Sequence, residues 1–385
     1  MAKNAARGSA ALVIALGLIG MPAAAAAPAL TMVQRAEKSA PAQHATRLVE
    51  AMTTQERAAS IVMGHIPATD PAVLAQYMAD TGIGGFILMG ANIPDDEGQL
   101  QRITAALSAD PAVPALVAID QEGGLVSRLP WDDFAASTML KNAPVEQTQV
   151  AFAGRAALVA RAGATVNFGV VADTTADTGS FIYGRALGAD PVSAAARVAA
   201  AVAAEEPLAA STLKHFPGHG ATPGDSHELI PSTSKSRAQW EETDAVPFVA
   251  GIEAGASLLM FGHLAYTAVD ELPASMSATW HAIARDDLGF DGVIVTDDLG
   301  MLQSSGIAAY ADPVANAVAA VAAGNDLVLT IAHSTPQTVV DITQGIVTAV
   351  ENGVIDEERL QDAAERVMTL RLERAASAAV WSPAD

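Results

Sequence analysis

Residues 213–231 read LKHFPGHGATPGDSHELIP and join a short apolar run to a loop that carries three histidines. The histidines are His215, His219 and His227, and Asp225 lies two residues before the last of them. Proline and glycine recur through the stretch, so a helix is excluded and an irregular loop is expected. A loop this rich in titratable groups indicates action on a substrate, although a solvated turn with incidental histidines is the alternative.

An apolar run of this kind recurs along the chain. The runs that predict strands are residues 61–63, 85–89, 115–119, 165–168, 212–215, 257–261, 292–296 and 326–330. Several are continuous rather than alternating, as expected for parallel strands that are buried on both faces. Helix-length segments lie between or after them, at residues 70–80, 98–108, 191–205, 237–254, 312–323 and 356–376.

Eight strand and helix units in about 320 residues predict a (β/α)₈ barrel, as one catalytic domain over residues 30–385. Polar residues follow the ends of several predicted strands: 120–124, Asp173, Lys214 with His215, His263, and Asp297 with Asp298. In a doubly wound open sheet, the alternative fold, such residues gather at a single switch point. Their spread around many strand ends favours the barrel.

The N-terminus has the three-part layout of a secretory signal. Lys3 and Arg7 precede an apolar run at residues 10–19, and a small-residue tract ends at Ala27-Pro28-Ala29. We expect residues 1–29 to be removed on export, with an uncleaved membrane anchor as the alternative. The mature protein is then secreted or held in the cell envelope, without stable membrane insertion.

Composition excludes several classes of partner and site. The formal net charge of −22 argues against nucleic acid, because few cations are available to neutralise phosphates. The chain has no cysteine, which excludes disulfides, thiolate metal sites and a lipid anchor on an N-terminal cysteine.

Two acidic strand ends are candidates for catalysis. Asp120 follows one apolar run and precedes a pair of glycines, which let the backbone turn close to a ligand. Asp297 and Asp298 follow another apolar run. Adjacent strand residues point to opposite faces, so only one of that pair can aim fully into the barrel mouth. Asp298 is equally well explained as a helix N-cap.

A carboxylate opposite a proton donor suits glycoside hydrolysis, in which one group attacks the anomeric carbon and another protonates the leaving oxygen. Histidine can be that donor, because its ordinary pKa of about 6.5 permits proton exchange near neutral pH. Asp225 is placed to orient the imidazole of His227. Lys214, His215 and Arg185 add donors suited to sugar hydroxyls and carbonyls.

Three motifs resemble glycoside hydrolase family 3, and within it the exo-β-N-acetylglucosaminidases that act on peptidoglycan fragments. The motifs are AIDQEGG at residues 118–124, KHFPGHG at 214–220 with DSH at 225–227, and LGFDGVIVTDDL at 288–299. In order and spacing the resemblance covers roughly residues 45–375.

The resemblance implies a (β/α)₈ barrel and a retaining mechanism through a covalent glycosyl-enzyme. It implies that Asp297 is the nucleophile and that His227 with Asp225 is the acid/base dyad. It also implies sugar contacts by four residues: Asp120, Arg185, Lys214 and His215. Two-domain β-glucosidases of the family take their acid/base from a second domain, for which this chain has no room. The single-domain glucosaminidase branch is therefore favoured. This branch implies a monomer that needs no metal or cofactor and acts on a small carbohydrate substrate, either muropeptides or other N-acetylglucosaminides.

The chain departs from the family pattern at a few positions. Leu125 stands where an arginine commonly follows the paired glycines, and Gly169 stands where proline is usual. Ala186 and Leu187 replace a more usual serine and aromatic pair. These departures bear on substrate specificity more than on the class of reaction.

Other readings of the sequence remain open at this stage. A metal-dependent hydrolase would use His215, His219 and His227 as ligands, although Pro217 and Gly218 prevent the helix that would align the first two. A wall-binding protein without catalysis could use the same scaffold. A β-glucosidase or a phosphorylase of the same family is a further alternative.

Overall fold

Eight parallel strands form a single curled sheet within the computed structural model, which describes residues 30–108 and 110–380. They are β1 (Val62–Gly64), β2 (Gly85–Leu88), β3 (Leu116–Ile119), β4 (Val166–Val171), β5 (Ala210–Phe216), β6 (Leu258–Phe261), β7 (Val293–Thr296) and β8 (Val328–Leu329). Each lies on one of the eight apolar runs that predict strands. Nearly all their side chains are buried, as the continuous apolar runs require.

The sheet closes into a barrel. Neighbouring strands follow the order β7-β6-β5-β4-β3-β2-β1-β8. Val295 of β7 then pairs in parallel with Leu327, the residue directly before β8. The backbone N–H of Thr296 also donates to the carbonyl of Leu327 at 3.1 Å. These bonds join the two ends of the strand order, which confirms the (β/α)₈ prediction over the open sheet.

Helices precede, connect and follow the barrel strands along the chain. In chain order they are α1 (Leu30–Glu50), α2 (Thr54–Ser60), α3 (Pro71–Thr81), α4 (Glu97–Ala106), α5 (Ser137–Leu140), α6 (Val145–Arg161), α7 (Pro191–Glu205), α8 (Arg237–Glu242), α9 (Ala245–Glu253), α10 (Ala278–Ala282), α11 (Leu299–Ser304), α12 (Pro313–Ala323), α13 (Pro336–Glu351) and α14 (Glu357–Val380). Aspartate caps several of their N-termini; the Asp70 carboxylate, for example, accepts the N–H of Ala72.

One predicted helix is wrong. Residues 237–254 form two helices, α8 and α9, because Thr243 leaves the helical region with φ −127° and ψ −84°. The described residues from Ala40 onward make one compact unit. The proposed signal peptide, residues 1–29, lies outside the described residues. Within 30–108 and 110–380, no helix combines the length and the apolar character that a membrane span requires.

A cluster of aromatic rings holds the start of the histidine loop. Strand β5 continues to Phe216, one residue beyond the strand predicted at residues 212–215, so Lys214 and His215 lie on the strand. The Phe216 ring packs against four others within 5.8 Å between centroids: Trp240, Phe248, Phe261 and Trp280. The Trp240 indole N–H also donates to the carbonyl of Pro217 at 2.7 Å. The first part of the loop is thereby fixed to the core.

Candidate active site

A cavity of about 340 Å³ opens at the carboxyl ends of the barrel strands. Six of the seven predicted site residues line it: Asp120, Arg185, Lys214, His215, His227 and Asp297. The seventh, Asp225, contacts His227. Active sites of this fold lie at the same face, since the loops that follow the strands converge there.

A short hairpin after β3 forms one wall. Residues Gln121–Gly123 pair with Val126–Ser127, and the turn between them uses Gly123 and Gly124 at φ of +85° and +78°. A positive φ favours glycine, which explains the paired glycines. The hairpin returns the chain so that the Arg128 guanidinium reaches the Asp120 carboxylate at 3.1 Å. The sequence did not lead to a prediction for Arg128, although the glycine pair indicates a tight turn after which the chain runs back toward Asp120.

Buried polar contacts hold the hairpin from behind. The Gln121 side chain accepts the backbone N–H groups of Arg128 and Leu129, each at 2.9 Å, and donates to Asp132 at 2.6 Å. Asp132 forms a fully buried ion pair with Arg155 at 2.7 Å. Gln121 lies between Asp120 and Glu122 in the chain, and successive side chains of a strand point to opposite faces. The network that holds Gln121 therefore also fixes the two neighbouring carboxylates, which point to the other face.

Alternating charges run along the floor of the cavity. The Lys214 ammonium lies 3.1 Å from Asp120 and 2.7 Å from Glu122. Arg185 binds both oxygens of Glu122, at 3.0 and 2.8 Å. Burial alone would raise the pKa of Glu122, but the attraction of Lys214 and Arg185 holds that pKa below its ordinary value. Glu122 belongs to the motif at residues 118–124, but the sequence does not indicate its role, because its partners come from distant parts of the chain.

His215 lies between an anion and a cation. Its Nδ1 is 2.7 Å from a carboxylate oxygen of Asp173, which follows β4, and its Nε2 is 3.3 Å from the Arg185 guanidinium. Asp173 also accepts the backbone N–H groups of His215 and His219. Burial lowers the pKa of His215 well below its ordinary value, so the ring is neutral near pH 7.

The two adjacent aspartates after β7 have different surroundings. The Asp298 carboxylate accepts the N–H groups of Gly300, Ile331 and Ala332 at 2.8 to 2.9 Å. Asp298 is therefore the N-cap of α11 and ties that helix to the segment after β8. Asp297 receives the N–H of Asp298 at 2.8 Å and lines the cavity.

Asp297 is ionised at neutral pH. Burial alone would raise its pKa, but the hydrogen bond from the N–H of Asp298 and the attraction of the Lys214 ammonium hold the pKa below its ordinary value. His263 lies directly behind the aspartate pair, and its Nε2 donates to the carbonyl of Asp298 at 2.9 Å. An ionised carboxylate held this firmly is suited to nucleophilic attack.

His227 and Asp225 form the rim of the cavity. The His227 Nδ1 lies 2.7 Å from the Asp225 carboxylate, and 62% of the His227 side chain is exposed. The ring of Phe181 lies between the two later histidines, 4.8 Å from His219 and 6.4 Å from His227 between centroids. The predicted dyad is thus assembled on the same cavity as Asp297.

The three histidines do not converge on one point. His215 faces Asp173, whereas His227 lies at the rim with Asp225. In the part of the chain that the structure describes, no three His, Asp or Glu side chains are grouped as metal ligands. The metal-dependent alternative therefore has no ligand set there.

The departures from the family pattern have local explanations. Leu125 is 74% exposed at the hairpin tip. A β-carbon on Gly169 would lie 2.3 Å from the Asn167 amide nitrogen, so no larger residue fits without movement of Asn167. Ala186 and Leu187 are buried in the protein interior and do not line the cavity.

The family model for the glycosyl hydrolase family 3 N terminal domain matches residues 53–370. The chain belongs to glycoside hydrolase family 3. A beta-hexosaminidase of Chromobacterium violaceum is 34% identical over 262 residues, which cover 64% of this chain and 71% of that protein. A beta-hexosaminidase of Bordetella avium is 34% identical over 260 residues, covering 64% and 73%. These matches confirm the expected family.

Solved structures agree with this assignment. A family 3 β-N-acetylglucosaminidase from a Paenibacillus species superposes with a TM-score of 0.79 at 29% identity. The match covers 85% of this family 3 enzyme but only 63% of the Paenibacillus chain. A β-N-acetylhexosaminidase from Beutenbergia cavernae gives a TM-score of 0.72 at 25% identity, over 83% and 98% of the two chains. The barrel and the glycoside hydrolase class are therefore established together.

Proposed function

We propose that this family 3 enzyme is a retaining exo-β-N-acetylglucosaminidase that removes terminal non-reducing N-acetylglucosamine from peptidoglycan fragments. The observation that carries the proposal is an ionised Asp297 in a small cavity whose rim holds the His227 and Asp225 pair. The names of the related hexosaminidases and of the Paenibacillus enzyme support the choice of sugar.

The shape and lining of the cavity suit one terminal sugar. Its volume of about 340 Å³ lies at the small end of ligand pockets. Arg128, Lys214 and Arg185 offer hydrogen-bond donors to sugar hydroxyls from one side. Met301 and Ile331 line the cavity as well, and they give an apolar surface suited to the methyl of an N-acetyl group.

The proposed reaction has two steps. The Asp297 carboxylate attacks the anomeric carbon and forms a covalent ester while the glycosidic C–O bond breaks. The proton on His227 Nε2 passes to the leaving oxygen. In the second step His227 removes a proton from water, which attacks the anomeric carbon and releases Asp297. Asp225 accepts the Nδ1–H throughout, which keeps Nε2 as the exchanging nitrogen.

A fluorosugar that traps the glycosyl-enzyme tests the nucleophile. The enzyme is treated with a fluorinated N-acetylglucosaminide that slows the second step, digested, and mapped by mass spectrometry. We expect the label on the peptide at Asp297 and nowhere else. Asp298→Ala serves as the matched control, since its carboxylate is occupied by three N–H groups and the variant should still be labelled. A label on another residue would contradict the assignment.

Product analysis on a panel of glycosides tests the substrate. An aryl N-acetylglucosaminide, an aryl glucoside, chitobiose and purified muropeptides are compared by kcat/KM. The proposal expects turnover of N-acetylglucosaminides, with muropeptides as the preferred natural substrates. Preference for the glucoside would favour the β-glucosidase alternative, and no turnover would favour a sugar-binding protein.

Export is part of the same proposal. The layout of residues 1–29 and the cell-wall substrate both call for a protein that is secreted or held in the cell envelope. N-terminal sequencing of the protein from fractionated cells measures this. An uncleaved chain found only in the cytoplasm would contradict export.

A further inference from the structure

Asp173 contacts the site through His215 and does not line the cavity. It is fully buried at the end of β4, and its two carboxylate oxygens have different partners. Oδ2 lies 2.7 Å from Nδ1 of His215, and Oδ1 accepts the backbone N–H of His219 at 2.6 Å. The backbone N–H of His215 lies 3.2 Å from both oxygens.

The partners of His215 determine where its proton lies. A carboxylate can only accept at Nδ1, and a guanidinium can only donate at Nε2. The Asp173 oxygen therefore requires a proton on Nδ1. The Arg185 nitrogen, 3.3 Å from Nε2, requires that Nε2 carry none, so the ring is neutral. The Nε2 lone pair then faces the Arg185 guanidinium, and Arg185 lines the same cavity as His215 and Asp297.

We propose that Asp173 is a positioning residue that fixes His215 as the Nδ1–H tautomer, so that Nε2 stays a hydrogen-bond acceptor and takes a sugar hydroxyl in place of its 3.3 Å contact with Arg185 when substrate binds. The sequence favoured His215 as a donor, and the geometry assigns it the opposite role. Around it, Lys214, Arg185 and Arg128 can only donate. His215 thus supplies a neutral acceptor for a hydroxyl hydrogen, and its lack of charge leaves the negative charge of Asp297 free for attack.

Asp173→Asn has a predictable effect on the ring. Oδ1 must keep the oxygen, because its partner is the N–H of His219, which can only donate. The amide NH₂ then takes the place of Oδ2 and donates to Nδ1 of His215. The proton of the ring moves to Nε2, where it faces the donors of Arg185 and no longer accepts from the sugar. The loss of one buried hydrogen bond and the new opposition of donors should lower kcat/KM about 10- to 100-fold.

The test measures the tautomer first, without substrate. Long-range ¹H–¹⁵N spectra of the ¹⁵N-histidine enzyme distinguish the two neutral forms, and the His215→Gln variant assigns the signal. We expect the Nδ1–H form in the wild type and the Nε2–H form in Asp173→Asn. The role of His215 in sugar binding rests on the proposed function. The tautomer is measured without substrate and without activity, so the proposed function and the role of Asp173 can fail separately. An Nε2–H ring in the wild type overturns the proposal.

Kinetics in two backgrounds complete the test. If Asp173 acts through His215, Asp173→Asn should lower kcat/KM in the wild type but change it little when His215 is already glutamine. An equal loss in both backgrounds overturns the proposal.

Asp244→Asn is the matched control, because Asp244 is a buried aspartate that pairs with Lys235 outside the cavity. It should leave both the tautomer and kcat/KM unchanged, and a flipped ring in this variant also counts against the assignment. If Asp173→Asn does not fold, the wild-type spectrum alone decides.

Discussion

Two histidine–aspartate pairs border the same cavity with the same contact and opposite surroundings. In both, Nδ1 of the histidine lies 2.7 Å from the aspartate oxygen. The side chains of His215 and Asp173 are 8% and 0% exposed, whereas those of His227 and Asp225 are 62% and 40% exposed. The contact geometry is the same in both pairs, but one imidazole lies in the protein interior and the other lies in water.

The difference in exposure suits the buried pair to sugar binding and the exposed pair to proton transfer. Burial makes the charged form of an imidazole costly, so His215 stays neutral and its proton stays on one nitrogen. An exposed imidazole exchanges protons directly with solvent. Hydrogen bonds from Trp240 to Pro217, from Tyr266 to Gly218 and from His219 to Asp173 hold the first part of the loop, before Asp225. The fixed pair suits recognition, and the exposed pair suits acid/base chemistry.

Removal of the exposed imidazole should have the largest effect. In His227→Ala, turnover of disaccharides with poor leaving groups should fall about 10²- to 10⁴-fold, because no group protonates the departing oxygen. Aryl glycosides, whose phenolates leave without a proton, should lose much less. The measurement is kcat/KM against the pKa of the leaving group. If the slope is the same in the variant and the wild type, His227 is not the general acid, and His219 becomes the residue to test.

Asp225→Asn should follow the same trend more weakly, with a loss of about 10-fold on poor leaving groups. A single oxygen, Oδ1, accepts both the backbone N–H and the Nδ1–H of His227. An asparagine keeps that oxygen in place, so the tautomer is retained and only the charge is lost. This is the reverse of the result expected for Asp173→Asn. A flipped His227 ring in Asp225→Asn would remove the contrast between the pairs.

The two aspartates should also change the free energy of unfolding with pH in opposite directions. Burial raises the pKa of Asp173 to about 6 from its ordinary 3.8, so between those values the folded protein holds a proton that the unfolded chain has released. The free energy of unfolding should then fall as pH rises through this window, by at most about 1.4 kcal/mol per pH unit, and stay level above it.

For Asp225 the sign is reversed. Burial alone would raise its pKa, but hydrogen bonds from His227 lower it, so its contribution to stability is present above the ordinary pKa and is lost as pH falls through the folded value. The effect is small, because solvent screens an exposed pair. Urea unfolding across the window measures both slopes, with Asp173→Asn and Asp225→Asn as matched variants. A wild-type slope that Asp173→Asn does not change would contradict the raised pKa of Asp173.

The smallest expected effect concerns the acceptor in the second step. A carboxylate in place of His227 would repel an incoming anion, whereas an exposed imidazole does not. Inorganic phosphate should therefore compete with water for the glycosyl-enzyme and give some sugar 1-phosphate among the products. Mass spectrometry of the products at increasing phosphate measures this. Absence of the sugar phosphate, with unchanged turnover, would mean strict hydrolysis.

Much of the fold could be predicted from local patterns in the sequence. Each apolar run that predicts a strand is a strand of the barrel, because continuous burial on both faces leaves a clear signature in composition. The helix at residues 237–254 was predicted as one element because its apolar periodicity hides the break at Thr243. Six of the seven predicted site residues line one cavity, and they were chosen from short motifs, which are local patterns.

The roles of Glu122, Arg128 and Asp173 could not be predicted in the same way. Glu122 and Asp173 do not line the cavity that contains Asp297, and their partners come from other segments of the chain. Asp173 lies 42 residues from His215 in the chain, and Asp120 lies 94 residues from Lys214. Spacing in the sequence carries no information on such contacts.

The sequence by itself determined the strands, the barrel and the set of polar side chains at its mouth, because hydrophobic periodicity and strand-end motifs are local properties. Only the tertiary structure decided which histidine is buried beside Asp173 and Arg185 and which stays in water beside Asp225. Burial and the charge of spatial neighbours set the proton on an imidazole. Both arise when distant segments pack together, so His215 and His227 look alike in the chain and differ in the folded enzyme.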